Sequence, residues 1–372
     1  MDWDAIREEF PALRRGIVHL DTASFGQLAT RTMSAVMRHF SHRDETACHD
    51  FLTWFDDVDR TRVAVAQLIN ASSDDIAFVN NAATALGILM SGIEWREGDE
   101  VLALEHEFPN NLYAPAALSR RGVVFRECDW AGLDSALSER TRLVLLSTVN
   151  YTTGFRPPLS GLGERLRKRG VLLYVDGTQS VGALKFDAAD VQPTMLAVHG
   201  YKWLLCPNGA AFAYVPAETR AWLEPNIIGW RSHRDWRNVD NLHHGRPELP
   251  ARAEKYEGGM LPFPLICAMD AAVNMQLEIG PALIERRVMK LAAELRDILE
   301  RAGATVPDHD SQIVTASFRR ADPTALRRAL EEQHVFVSAR RGSLRVSAHF
   351  YNNLDDVMTF EAALRRALTR VK

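Results

Sequence analysis

Asp176 and Lys202 are the side chains whose surroundings most favour chemistry. Leu172-Leu173-Tyr174-Val175 is an apolar, β-branched run that ends in Asp176-Gly177, the pattern of a buried parallel strand delivering a carboxylate at its C-terminal end. Open α/β sheets bind ligands at that end. A second apolar run, Met195-Leu196-Ala197-Val198, leads into His199-Gly200-Tyr201-Lys202-Trp203-Leu204, which sets one lysine between two aromatic residues. Shielding of that kind lowers an amine's pKa toward its neutral, nucleophilic form. Alone, a strand-end Asp is as readily a helix cap, and a lone lysine is usually solvated. Together they are the pair that pyridoxal 5'-phosphate (PLP) requires: an amine to form the imine and an acid to keep the pyridine nitrogen protonated. At an effective dielectric of 20, Coulomb's law gives about 5 kcal/mol for such an acid–pyridinium contact.

The rest of the chain supplies elements to position them. Residues 4–13 read as a short amphipathic helix that Pro11 bends or stops, and Ile17 to Gly26 as a strand entering a small-residue loop. Helices are expected over 31–40 and 55–69, then a strand at 76–80 whose end, Asn81-Ala82-Ala83-Thr84, opens a helix. Free N–H groups at such a helix start attract phosphate. Further strands are expected at 100–104, 122–128, 142–149 and 210–215, with a helix over 162–169 between the 142–149 strand and the Asp176 strand. This alternation implies an α/β fold: a mostly parallel sheet sandwiched by helices. Residues 225–257, holding Trp230, Trp236, the arginines Arg231, Arg234, Arg237 and Arg246, and His243-His244, lack periodicity and read as a long ordered loop able to shape a substrate pocket. Adjacent histidines without an acidic or cysteine partner read as surface, so no metal site is assigned. A helical region runs from Pro264 to Gly303, followed by strands at 313–318, 335–338 and 343–347 and helices at 324–332 and 354–368. These form a smaller α+β domain, giving expected boundaries of 15–258 for the large domain and 259–372, with 1–14 packed against it, for the small one.

The two opening segments and their order resemble the class V aminotransferase family of fold type I PLP-dependent enzymes, which includes cysteine desulfurases, selenocysteine lyases, kynureninases and isopenicillin epimerase-like proteins. The likeness runs from about Asp21 to about Asn352. It implies roles for further residues. Ala83 and Thr84 match the family's phosphate-gripping pair, His106 the histidine stacked on the pyridine, and Asn150 and Gln179 the groups that reach the phenolic oxygen. His199 stands where many relatives carry a phosphate-binding serine, and Tyr201 where many carry histidine. Arg345, in Leu344-Arg345-Val346-Ser347, matches the arginine that grips the substrate carboxylate, with Arg340 and Asn150 assisting. Two departures stand out. Residues 337–343 contain no cysteine, so the persulfide relay of the desulfurases lacks its residue. Met260 replaces a threonine that in many relatives donates to the phosphate of the neighbouring subunit's cofactor. A homodimer is the family expectation.

Composition fits that reading. The 372 residues are 47% hydrophobic and 25% charged, with a net charge of -4, which is globular and offers no basic field for nucleic acid or anionic membrane. Cys48, Cys128, Cys206 and Cys267 share no C-x-x-C spacing, and with a charged amino terminus and no long apolar span they point to a reducing cytoplasm. The expected activity is at the α-carbon of a small amino acid, nominally transamination, with C–S or C–Se lysis and epimerisation as alternatives. A PLP-binding regulatory protein without turnover is the alternative of another class.

Overall fold

The computed structural model describes residues 1–371. Its centre is a seven-stranded sheet in the order Ile76–Val79, Ala211–Tyr214, Met195–His199, Leu172–Asp176, Thr141–Ser147, Glu100–Leu104, Val124–Cys128. Ala211–Tyr214 runs antiparallel to both of its neighbours, and the other pairs are parallel. The apolar runs explain the order. Leu143, Val144, Leu145 and Leu146 are all fully buried in an interior strand, whereas no residue of the edge strand Val124–Cys128 is buried.

Each sheet face has its own core. Leu173, Val175 and Leu196 pack with Phe55, Phe212 and Phe263 on one side. Tyr174, Met195 and Ala197 pack with Leu86, Leu89 and Tyr256 on the other. The second side includes helix Ala82–Gly92, whose N-cap Asn81 accepts from the Thr84 N–H at 2.9 Å.

A third core lies in the C-terminal part. Ser343–Val346 is the middle strand of an antiparallel three-stranded sheet between Ser338–Arg340 and Val314–Ala316. Helices Pro281–Arg301, Pro323–Glu331 and Leu354–Arg370 contribute Leu295, Leu330 and Phe360 to this core. The expected strand at 335–338 is divided. Val335–Phe336 pairs in parallel with Val18–His19, and Ser338 begins the next strand. The helical region after Pro264 is also divided, at Gly280, where φ of +94° ends Phe263–Ile279 and Pro281 starts Pro281–Arg301. Near the amino terminus, Trp3–Arg7 and Pro11–Arg14 are separate helices. Phe10 packs on Tyr351 with ring centroids 4.7 Å apart, and Arg7 pairs with Asp356 at 2.7 Å.

Residues 225–257 hold only short turns of helix, pinned by a buried ionic cluster. Glu257 accepts from Arg62 at 2.6 Å and from Arg231 at 3.0 Å, and Arg231 lies over the rings of Phe55 and Trp236. Among the described residues no helix is long and apolar enough to cross a membrane, and the four cysteines are unpaired.

Candidate active site

Asp176 ends its strand with its carboxyl 5% exposed, accepting from the Thr178 N–H at 2.9 Å. Burial pushes this carboxyl above its ordinary range, against the opposing pull of Thr178 and of the Lys202 charge. Lys202 follows the end of the neighbouring strand, and its backbone is clamped from two sides. Gly26 donates to the Tyr201 carbonyl at 2.9 Å, and a Cβ there would lie 2.0 Å from the Lys202 carbonyl oxygen. Gly182, at φ +104°, presses on the next peptide, where a Cβ would lie 2.3 Å from the Trp203 oxygen. Larger residues at 26 or 182 would displace the turn that aims the lysine.

The amine is buried and its pKa is lowered to about 8, first by burial and then by the Arg345 charge. Lys202 and Asp176 line one cleft with Phe108, Tyr151, Gln179 and His199, enclosing about 430 Å³ of space partly open to solvent. A wider surface cleft, lined by Arg156, Phe186, Asp190 and Glu285, contains neither residue. Size alone therefore does not locate the chemistry.

The other expected residues distribute unevenly. His199 lines the cleft, and its imidazole is held neutral by burial and by Lys202, with a pKa lowered to about 4. Gln179 also lines it, with its amide spent on the Ala23 carbonyl at 3.1 Å and the Trp203 indole N–H at 2.9 Å. Ala83 is exposed and Thr84 half-buried in the first turn of their helix, while Ala82 faces the cleft. Asn150 stands outside the lining. Its NH₂ donates to the His106 carbonyl, and its oxygen accepts from the Thr152 and Thr153 backbone at 2.9 and 3.0 Å. His106 is exposed, takes φ of +64° and accepts from Arg341 at 2.7 Å through Nδ1. Two residues on, Phe108 presents the aromatic surface, its ring centroid 5.5 Å from Lys202 Nζ. Sequence reasoning passed over Phe108. Its position just before the Pro109–Ala116 helix was the available signal.

Arg345 is 1% exposed on the middle strand of the small sheet. It donates to the Tyr151 carbonyl at 2.7 Å, to Ser24 Oγ at 2.6 Å and to Ser338 Oγ and Asp21 at 3.2 Å, while its Nε has no partner. Arg340 is exposed and reaches the same Ser24 hydroxyl at 3.3 Å. Asp21, Ser24, Tyr151 and Ser338 are the further members of this group. Residues 225–257 do not line the cleft. His243 is exposed and bonds the Arg246 carbonyl.

A buried lysine and a buried carboxyl at the C-terminal ends of adjacent strands, flanked by an aromatic ring, fit PLP by their donor set. The carboxyl, destabilised as an anion by burial, needs a cationic partner, and the amine is partly neutral already. The sheet and site define a fold type I PLP-enzyme architecture. The chain belongs to the class V aminotransferase family, whose profile ("Aminotransferase class-V") matches residues 18–360. It is 26% identical to a probable cysteine desulfurase of Methanothermobacter thermautotrophicus over 96% of each chain. It is 27% identical to the isopenicillin N epimerase of Streptomyces clavuligerus over 98% of each. Among solved structures, the cysteine desulfurase CsdA of Escherichia coli superposes with a TM-score of 0.88 at 21% identity, covering 100% of both chains. The cystine C–S lyase C-DES, in complex with its product cysteine persulfide, gives 0.85 at 21% identity, covering 94% of this chain and 97% of its own.

Proposed function

We propose that this protein is a PLP-dependent enzyme that acts at the α-carbon of a small amino acid, nominally by transamination. The observation that carries the reading is the shared cleft of Lys202 and Asp176. When bound, PLP supplies an electron sink for the bond broken at the α-carbon. Lys202 would hold it and move the α-proton; a pKa of about 8 suits both loss and gain of a proton near neutrality. Asp176 would hold the proton of the pyridine nitrogen. Phe108 would supply an aromatic surface for the ring, and the Ala82–Gly92 helix start, with His199, would hold the phosphate. Arg345 would orient the substrate carboxylate by exchanging its contact to the Ser24 hydroxyl for it.

C–S lysis is the second reading, supported by the desulfurase and lyase relatives. Residues 338–343 form a tight hairpin without cysteine, so a lyase of this kind would release its sulfur product instead of relaying it through that hairpin. The test is to record visible absorption of the purified protein, add amino acids singly and assay for keto acid, sulfide, alanine and racemised products. Keto acid formed with transfer of the amino group supports transamination, sulfide supports lysis, and no spectral response to any amino acid would leave a non-catalytic binding protein.

We further propose a homodimer in a reducing cytoplasm, with residues 15–258 and 259–372 as its domains. Met33, Met37 and Phe40 form an exposed apolar stripe on helix Thr30–Glu45, and Met260 is exposed as well, which supports a covered face. Sedimentation at micromolar concentration distinguishes dimer from monomer.

A further inference from the structure

Beside the Lys202 cleft, outside its lining, stands more positive charge than one α-carboxylate requires. Arg340 and Arg345 share the Ser24 hydroxyl, at 3.3 and 2.6 Å, so their guanidinium groups are neighbours. Arg341 follows directly and meets only the His106 ring among its hydrogen-bond partners. Lys202 adds a fourth basic group within reach of the Arg345 and Arg340 fields. Against them stand two carboxylates, Asp21, 3.2 Å from Arg345, and Asp176, which acts on Lys202. Arg340 otherwise donates only to its neighbour's carbonyl at 3.0 Å, and among the described residues neither Arg340 nor Arg341 forms an ion pair.

The presentation is fixed by backbone. Arg340 pairs with Ser343 across a two-residue turn in which Arg341 and Gly342 take φ of +45° and +78°, the hairpin geometry that follows strand twist. A positive φ is costly for a residue with a β-carbon and recurs where a side chain must be placed for function. The turn holds Arg341 against His106, and the preceding strand holds Arg340 beside Arg345. In a chain of net charge -4, this cluster is a local reversal of sign.

We propose that the substrate is an acidic amino acid, with a second carboxylate one or two carbons beyond the α-carbon, which Arg340 and Arg341 receive while Arg345 holds the α-carboxylate. The inference rests on the PLP-enzyme reading above and narrows it to a substrate class. A guanidinium left without a partner loses a bidentate charged contact when the distal acid is replaced by its amide.

The test uses the PLP-loaded enzyme with isosteric pairs, aspartate against asparagine and glutamate against glutamine, with alanine and cysteine as neutral references. The expected result is kcat/KM at least about tenfold higher for an acid than for its amide. That ratio should fall as sodium chloride is raised, because exposed charges are screened. In the R340Q/R341Q double variant the ratio should approach one. A wild-type ratio of one or less, with alanine or cysteine turned over, overturns the acidic-substrate inference and leaves the enzyme reading standing. Absence of any spectral or product change with all six compounds overturns both. The salt dependence of the wild-type ratio decides the matter if the double variant does not fold.

Discussion

Lys202 Nζ stands 5.5 Å from the centroid of the Phe108 ring and 5.4 Å from that of Tyr201, with no carboxylate bonded to it. An ammonium held between aromatic faces gains cation–π attraction but loses its water. Burial outweighs that attraction and brings the pKa to about 8.

The rate at which apoprotein acquires visible absorption on addition of PLP should therefore rise with pH and level off above about 8.5. Protonation blocks imine formation, so the neutral fraction sets the rate: about 1% at pH 6, about 10% at pH 7 and about half at pH 8. A rate still climbing tenfold per unit above pH 9 would show an ordinary lysine near 10.5 and refute the buried placement.

Phe108→Ala should weaken PLP retention by roughly fivefold, the worth of about 1 kcal/mol of aromatic stacking, with Lys202 still able to react. Dialysis of the holoenzyme, followed by absorbance, measures it. His106→Ala should leave retention nearly unchanged, since that ring faces Arg341. A larger loss for His106→Ala than for Phe108→Ala would restore the histidine as the stacking group.

Asp176→Asn removes the charge opposite the pyridine nitrogen while keeping the Thr178 contact. A full contact is worth about 5 kcal/mol at an effective dielectric of 20, so turnover should fall by at least about a hundredfold. PLP should still attach to Lys202, and single-turnover absorbance separates attachment from chemistry. Retained turnover would place the nitrogen elsewhere.

The strands that carry Asp176 and Lys202 were readable because each is a short, unbroken apolar run ending in a polar residue, and Glu100–Leu104 and Leu172–Asp176 match expectation to the residue. What surrounds them was less so. His106 and Phe108 are two positions apart, and which of them enters the cleft depends on a left-handed φ at His106 that periodicity does not encode. Arg345 was expected on an internal strand from Leu344-Arg345-Val346, and it lies on one. Its partners Asp21, Ser24 and Tyr151 come from two distant segments and Ser338 from the paired strand, a juxtaposition no local pattern contains. The irregular stretch 225–257 was correctly read as loop. Its buried side, however, serves Glu257 and Arg231 instead of the Lys202 cleft.

Arg345→Lys keeps the positive charge but cannot reach Tyr151, Ser24 and an incoming carboxylate with a planar fork. Loss of one charged hydrogen bond, about 1.5–3 kcal/mol, predicts a KM raised roughly 10- to 150-fold for amino acids. For amines lacking the α-carboxylate, reactivity should change little. Steady-state kinetics on such a pair is the measurement, and an equal loss for both would mean that Arg345 supports the fold instead of the substrate.

Glu257→Gln tests what holds the long loop in place. Burial alone would push the Glu257 carboxyl upward, but Arg62 and Arg231 overcome it and hold the group below its ordinary value. Removing the anion leaves two guanidinium groups, 3% and 2% exposed, without their partner, a change that costs about 3–5 kcal/mol when a buried pair is broken. The urea midpoint at pH 7 should drop accordingly. Because the folded pKa lies below the unfolded one, the stability Glu257 confers is present above the unfolded value and lost as pH falls through the folded one. The wild type should lose stability in that acid range, while the variant, with no carboxyl to protonate at 257, should show a flatter limb. Parallel acid limbs for the two proteins would exclude Glu257 as the ionised centre of the cluster.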